Sequence, residues 1–149
     1  MSLVVRKIMK KLIVLCCVLG LAGCKTTSDY IVEKEKEQLM LHYSKPEVGM
    51  FLTTEQPLKA EYDVCAKNAF NGASYTFGGK TVSDPKVLIM ISLDYVQFLV
   101  NRYIGKPKDA NIFDNAEMKN NIEKIRVHTL ALDSCLQEKG WETSEKPKS

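Results

Sequence analysis

Thiols, imidazoles and a Gly-Lys-Thr segment hold most of the chemical reach of this 149-residue chain, which contains five cysteines and two histidines. A thiolate acts as a nucleophile or metal ligand, and an imidazole as an acid, base or ligand. Cys65 and Cys135 could form a reactive or metal-binding pair, or be joined as a disulfide. A metal centre needs more nitrogen or sulfur ligands at suitable spacing, and His42 and His128 supply no such pattern. No metal and no cofactor is expected. Gly78-Gly79-Lys80-Thr81 ends as a phosphate-binding loop ends, but that loop also needs a glycine five positions before its last one and an apolar strand leading in. Ser74 stands at that position, so a glycine turn is expected and nucleotide binding is not. No serine lies in a nucleophile elbow, and Glu61 and Asp63 fall on the solvated side of a helix. The chain is therefore read as a non-enzyme with no catalytic residue.

Cys24 differs from the other thiols in its setting. Arg6, Lys7, Lys10 and Lys11 precede an apolar run from Leu12 to Leu21, followed by the small residues Ala22 and Gly23. A basic start, an apolar core of this length and small residues at its end make the pattern of a signal peptide. A spanning helix would need ~20 apolar residues, and this run stops at Lys25. Cys16 and Cys17 lie inside the core and read as small hydrophobes. Met9-Lys10-Lys11 would itself make a compact start, so Met9 is a candidate true start.

The tetrapeptide Leu21-Ala22-Gly23-Cys24 resembles the lipobox of bacterial lipoproteins. The resemblance implies cleavage before Cys24, a diacylglycerol on its sulfur, and an acyl chain such as palmitate on the new amino group. An ordinary secretory signal cut after Gly23 is the alternative. Lys25 follows, not the aspartate that resembles an inner-membrane retention signal in enteric bacteria. The resemblance thus implies a lipid-anchored protein of the Gram-negative outer membrane, facing the periplasm.

Removing residues 1–23 changes the electrostatics. The whole chain has 21 basic and 18 acidic residues; four basic and no acidic ones precede Cys24, leaving 17 against 18. A near-neutral domain lacks the concentrated positive surface that nucleic acid requires, so that class of partner is excluded. The 126 residues from Cys24 onward suit one domain with a tether and a tail. An oxidising compartment favours thiol pairing, and Cys65 and Cys135 then have only each other.

Residues 24–52 are expected to form a lipidated tether carrying a charged helix-prone stretch, Glu33-Lys34-Glu35-Lys36-Glu37, between Tyr30-Ile31-Val32 and Leu39-Met40-Leu41; a solvated helix is expected, with docking of its apolar ends on the domain or a partner as the alternative. Residues 53–141 are expected to form a mainly α domain, a small bundle of three to four helices with one disulfide. Thr53 or Thr54 would cap the first helix, with Pro57 in its first turn, and Leu58, Tyr62, Cys65 and Ala69 would share one face. Asn71-Gly72 and Gly78-Gly79 bound a loop or short hairpin at Tyr75-Thr76-Phe77. Asp84 and Pro85 would open a central apolar helix through Val100, stopped by Gly105 and Pro107, with Ile91, Tyr95 and Phe98 buried. Asn111 or Asp114 would cap a last helix carrying Met118, Ile122, Ile125, Leu132 and Leu136 and ending near Gly140. Residues 142–149 are expected to be a disordered tail.

Cys135-Leu136-Gln137-Glu138-Lys139-Gly140-Trp141 resembles the Cys-x-x-x-Lys-Gly-aromatic terminus of small Gram-negative lipoproteins. That resemblance pairs Cys135 with an upstream helical cysteine, here Cys65, and carries over no catalytic residue. Trp141 is expected to be packed over the disulfide, with exposure to a partner as the alternative. The function expected is a structural or protein-interaction component of an envelope assembly, with a partner protein in the envelope. The alternative is an inhibitor, exclusion or immunity-type binding module acting near Phe77-Gly78-Gly79.

Overall fold

A computed structural model describes residues 25–144, so Leu21, Ala22, Gly23, Cys24 and the Met9 question lie outside the described residues. Among the described residues five helices and five short strands follow one another: α1 (Thr27–Lys34), β1 (His42–Lys45), β2 (Gly49–Leu52), α2 (Leu58–Phe70), β3 (Tyr75–Phe77), β4 (Lys80–Val82), α3 (Pro85–Tyr103), α4 (Ala110–Phe113), α5 (Ala116–Glu138) and β5 (Glu142–Thr143).

This corrects the expectation of a mainly α bundle. The helices hold 56 % of the described residues, but two antiparallel sheets of three and two strands make the fold mixed α/β. The larger sheet has the order β2-β1-β5, with Tyr43 opposite Phe51 on one side and Thr143 on the other. Its strands are two to four residues long, too short to display a period-two pattern in sequence. Their pairing comes from the β1–β2 turn and from the chain returning after α5. The smaller sheet is the β3–β4 hairpin turned by Gly78 and Gly79, which is the short hairpin expected there.

The segment read as a tether is folded from Thr27 onward. Thr26 caps α1 in a reciprocal capping box with Asp29, and Tyr30 and Ile31 on that helix are buried. The charged stretch leaves the helix after Lys34, and Leu39 and Tyr43 join the core. At the other end, Glu142 and Thr143 of the expected tail form β5; residues 145–149 lie outside the described chain.

Two helix starts also differ from the sequence reading. α2 begins at Leu58 without a side-chain cap. The Thr53 hydroxyl instead donates to the Leu39 carbonyl at 2.7 Å, and residues 52–55 form a turn closed by Glu55. A tertiary bond thus claimed the hydroxyl that local capping would have used. α5 is capped by Asn115, whose side chain accepts from Met118 N at 2.8 Å, not by Asn111 or Asp114. α3 begins as read, with Asp84 as cap and Pro85 in the first turn.

The core lies between α2 and α5, which are joined by the Cys65–Cys135 disulfide with its Cα atoms 5.7 Å apart. Leu58, Tyr62 and Cys65 from α2 meet Ile122, Ile125, Leu132 and Leu136 from α5, all fully buried or nearly so. Each large apolar side chain buried this way contributes about 1.5–3 kcal/mol. Trp141 is buried, its indole Nε1 donating to Glu61 at 2.6 Å with the Phe51 ring edge-on at 6.1 Å.

Candidate functional site

α3 is buried all round from Val87 to Ser92, where Val87, Leu88, Ile89, Met90, Ile91 and Ser92 are inside. Beyond Ser92 it has two apolar faces. Phe98 and Tyr95 turn inward onto Phe113 of α4, at ring-centroid distances of 5.4 and 6.0 Å. Tyr30 of α1 meets the same ring edge-on at 5.4 Å. The opposite face carries Leu93, Val96, Leu99, Val100, Tyr103 and Ile104, all exposed. Their three- and four-residue spacing puts them on one stripe, about 16 Å long at the helical rise. Val96 is 52 % exposed and Tyr103 92 %. The stripe is the largest run of exposed apolar side chains on any described element.

Polar groups on α3 are tied to α1. The Tyr30 hydroxyl donates to Asp94 Oδ2 at 2.8 Å, and the Lys34 ammonium lies 2.8 Å from the same oxygen. Burial, then the charge of Asp94, pushes the Tyr30 hydroxyl far above the usual phenol range. Partial burial works against the Lys34 charge, but its hydrogen bonds to Asp94 and Glu37 outweigh that and raise its pKa. α1 is thus clamped onto α3 by charge as well as by packing.

The N-terminal end of the described chain is seated on α4. The Lys25 carbonyl accepts from Asn111 Nδ2 at 2.8 Å, and its ammonium pairs with Glu33. Asn111 belongs to α4, which follows α3 after the loop of residues 104–109. Gly78 matters to this arrangement: its φ is +55°, and a Cβ there would stand 2.9 Å from the Thr27 Cβ.

The other residues singled out in sequence are committed to structure. The His128 Nδ1 lies 2.9 Å from the Ala69 carbonyl, which only accepts, so Nδ1 donates there, and Nε2 lies 2.8 Å from the Tyr75 hydroxyl. The ring stacks on Phe70 at 5.1 Å. Glu61 accepts from Trp141, and Asp63 is paired with Lys59 and with Lys86 at 3.6 Å. Lys80 bonds Glu35 at 2.6 Å and opens a strand instead of the helix that a phosphate loop would feed. His42 lies in β1. Among the described residues no group of three His, Cys, Asp or Glu side chains could hold a metal ion, and no helix is long and apolar enough to cross a membrane.

Two clefts accompany these elements. One of about 350 Å³ lies between α2 and the start of α3, lined by Asp63, Lys67, Phe70, Asp84 and Lys86. Another of about 270 Å³ is bordered by Leu39, Thr53, Lys59 and Tyr62. Neither brings together a nucleophile and a base.

Sequence reading missed the outward stripe because it treated the apolar residues of α3 as one core face. A signal was available: Leu93, Val96 and Val100 lie roughly opposite Ile91 and Phe98 on a helical projection. The fold and this face define a disulfide-stapled α/β domain with an unpartnered apolar helix face. No protein-family model, curated protein or solved structure matches the chain.

Proposed function

We propose that this chain is a lipoprotein anchored through Cys24 in the outer membrane, facing the periplasm, and that it serves as a structural, protein-interaction component of an envelope assembly. The anchor reading rests on the residues Leu21-Ala22-Gly23-Cys24 behind their basic and apolar leader. The Cys65–Cys135 bridge suits an oxidising compartment. The observation that carries the interaction role is the exposed stripe of α3, since apolar side chains gathered on one face mark a docking surface more often than scattered ones do. The partner is a protein presenting a complementary apolar helix or groove to Leu93, Val96, Leu99 and Val100.

An inhibitory or exclusion module would be expected to show a concave pocket or a protruding loop near Phe77-Gly78-Gly79. There Phe77 is buried, the Gly78 amide donates to Glu117 at 2.9 Å, and Gly78 and Gly79 are exposed.

A photoreactive amino acid placed at Val96 or Val100 in the native host should give one discrete, reproducible high-mass species, and the same probe at Glu123 should not. Val96→Asp should abolish the species formed from Val100 while the domain stays folded. Indistinguishable crosslinking from all three positions would refute the interaction role. Metabolic labelling with a fatty acid tests the anchor: label should be present in the parent and absent in Cys24→Ala.

A further inference from the structure

From Leu93 to Ile104 the outward side of α3 repeats with the spacing of a helix seam. Leu93, Val96, Val100 and Tyr103 fall three, four and three residues apart, the a and d pattern by which two helices interlock. The positions flanking such a seam are Ser92, Gln97, Leu99 and Ile104, all uncharged. Asp94 and Arg102, the charged residues of this stretch, are turned aside to Lys34 and Asp114. An interfacial membrane helix is rich in Lys and Arg, and residues 92–104 hold one arginine and no lysine. The seam therefore suits a protein surface better than a bilayer.

This seam is complementary to itself when run in the opposite direction. A two-fold axis at the height of Phe98 sets Val96 against Val100 of the other copy, and Leu93 against its Tyr103. The small valines at the centre let the helix axes approach to about 8–10 Å. Tyr103, 92 % exposed, stands out at one end, while Leu93, 44 % exposed, is recessed at the other. Opposed ends then fit, where like ends would hold the helices apart, and the helix dipoles favour the same direction. No like charges meet along the seam, and the chain from Cys24 onward is near neutral. With six exposed apolar side chains on each copy, at roughly 100 Å² apiece, the pair covers on the order of 1,200 Å², above the ~1,000 Å² that marks a specific interface.

We infer that two copies of this chain pair through the outward face of α3, antiparallel about a two-fold axis beside Phe98. This inference rests on the reading of that face as a docking surface and names its partner: the complementary apolar helix is α3 of a second copy. Because the same patch is used on both sides, the contact closes on itself and assembly through it stops at two.

The test uses two full-length copies with different epitope tags, co-expressed in the native host, one of them with a photoreactive amino acid at Leu93. The crosslinked species should have twice the chain mass, carry both tags, and be joined at the peptide containing Tyr103 of the second copy. Val96→Asp in both copies should lower that species by at least about tenfold, because pairing would bury two carboxylates without partners. Combining a Val96→Asp copy with a Val100→Lys copy should restore it, since antiparallel pairing sets these two side chains together. A fold lost in either variant could not be recovered by the other, so this mixture also controls for folding. A species that carries one tag and a different protein overturns the self-pairing and leaves the docking reading standing. A two-tag species joined near Leu93 of the second copy, with no recovery from the mixed variants, overturns the antiparallel arrangement. Capture of phospholipid alone, or of nothing, from probes at Leu93, Val96 and Val100 overturns the docking reading and the dimer with it.

Discussion

The Tyr62 hydroxyl is buried between α2 and the β1 strand without a hydrogen-bond partner, while neighbouring Tyr43 donates to Asp133 at 3.3 Å. A buried unpaired hydroxyl costs free energy that its aromatic ring does not return. Tyr62→Phe is therefore expected to leave stability unchanged or raise it by up to about 1 kcal/mol in a denaturant titration. A loss above that range would mean that the hydroxyl has a role in the fold. Asp133 offers a pH readout. Burial raises its carboxyl above the ordinary value, against a smaller lowering by the Tyr43 hydroxyl. An acid raised in the folded state contributes fully below its unfolded pKa of about 3.9 and loses that contribution as pH rises through the folded value. Asp133→Asn should then gain melting temperature over the parent at pH 7 and show no such gain near pH 3. Gly78→Ala combines a positive φ with a close approach to Thr27, so it should lower the melting temperature, and Gly79→Ala, which meets no neighbour, should lower it less.

Local signals spoke clearly for the helices and weakly for the strands. Asp84-Pro85 at the start of α3 and Gly105 after its end were readable because capping and helix termination act within a few residues. The β1–β2 hairpin was not readable, because four-residue strands carry no period and their partners lie across a turn or at the far end of the chain. α1 illustrates the same limit from the other side. Thr26, Asp29 and the apolar pair Tyr30-Ile31 were all visible, yet only Asp94 and Phe113 distant in sequence turn them from a solvated charged segment into a docked helix. Thr26→Ala should cost about 1 kcal/mol of stability, the usual value of a cap, and should speed amide exchange in α1 before α5. Uniform acceleration across both helices would show that α1 does not open independently.

Across the whole molecule the disulfide closes a loop 70 residues long between α2 and α5. A bridge of that span disfavours the unfolded chain by about 4 kcal/mol in the chain-entropy model. Reduction should lower the denaturation midpoint by a corresponding amount, and Cys65→Ala should expose Cys135 to alkylation that the oxidised parent resists. Alkylation of Cys135 in the oxidised parent would contradict the bridge. The sequence by itself determined where α3 starts and, for an oxidising compartment, which cysteines pair, because the first follows from contacts a few residues apart and the second from a scarce residue type. Tertiary structure alone decided that the chain is α/β, that Lys25 is seated beside Asn111, and which face of α3 stays bare. Those outcomes depend on which surfaces meet, up to 100 residues apart in the case of Tyr43 and Thr143, and the apolar stripe of α3 looks the same in sequence whether α1 and α4 cover it or cover its opposite face.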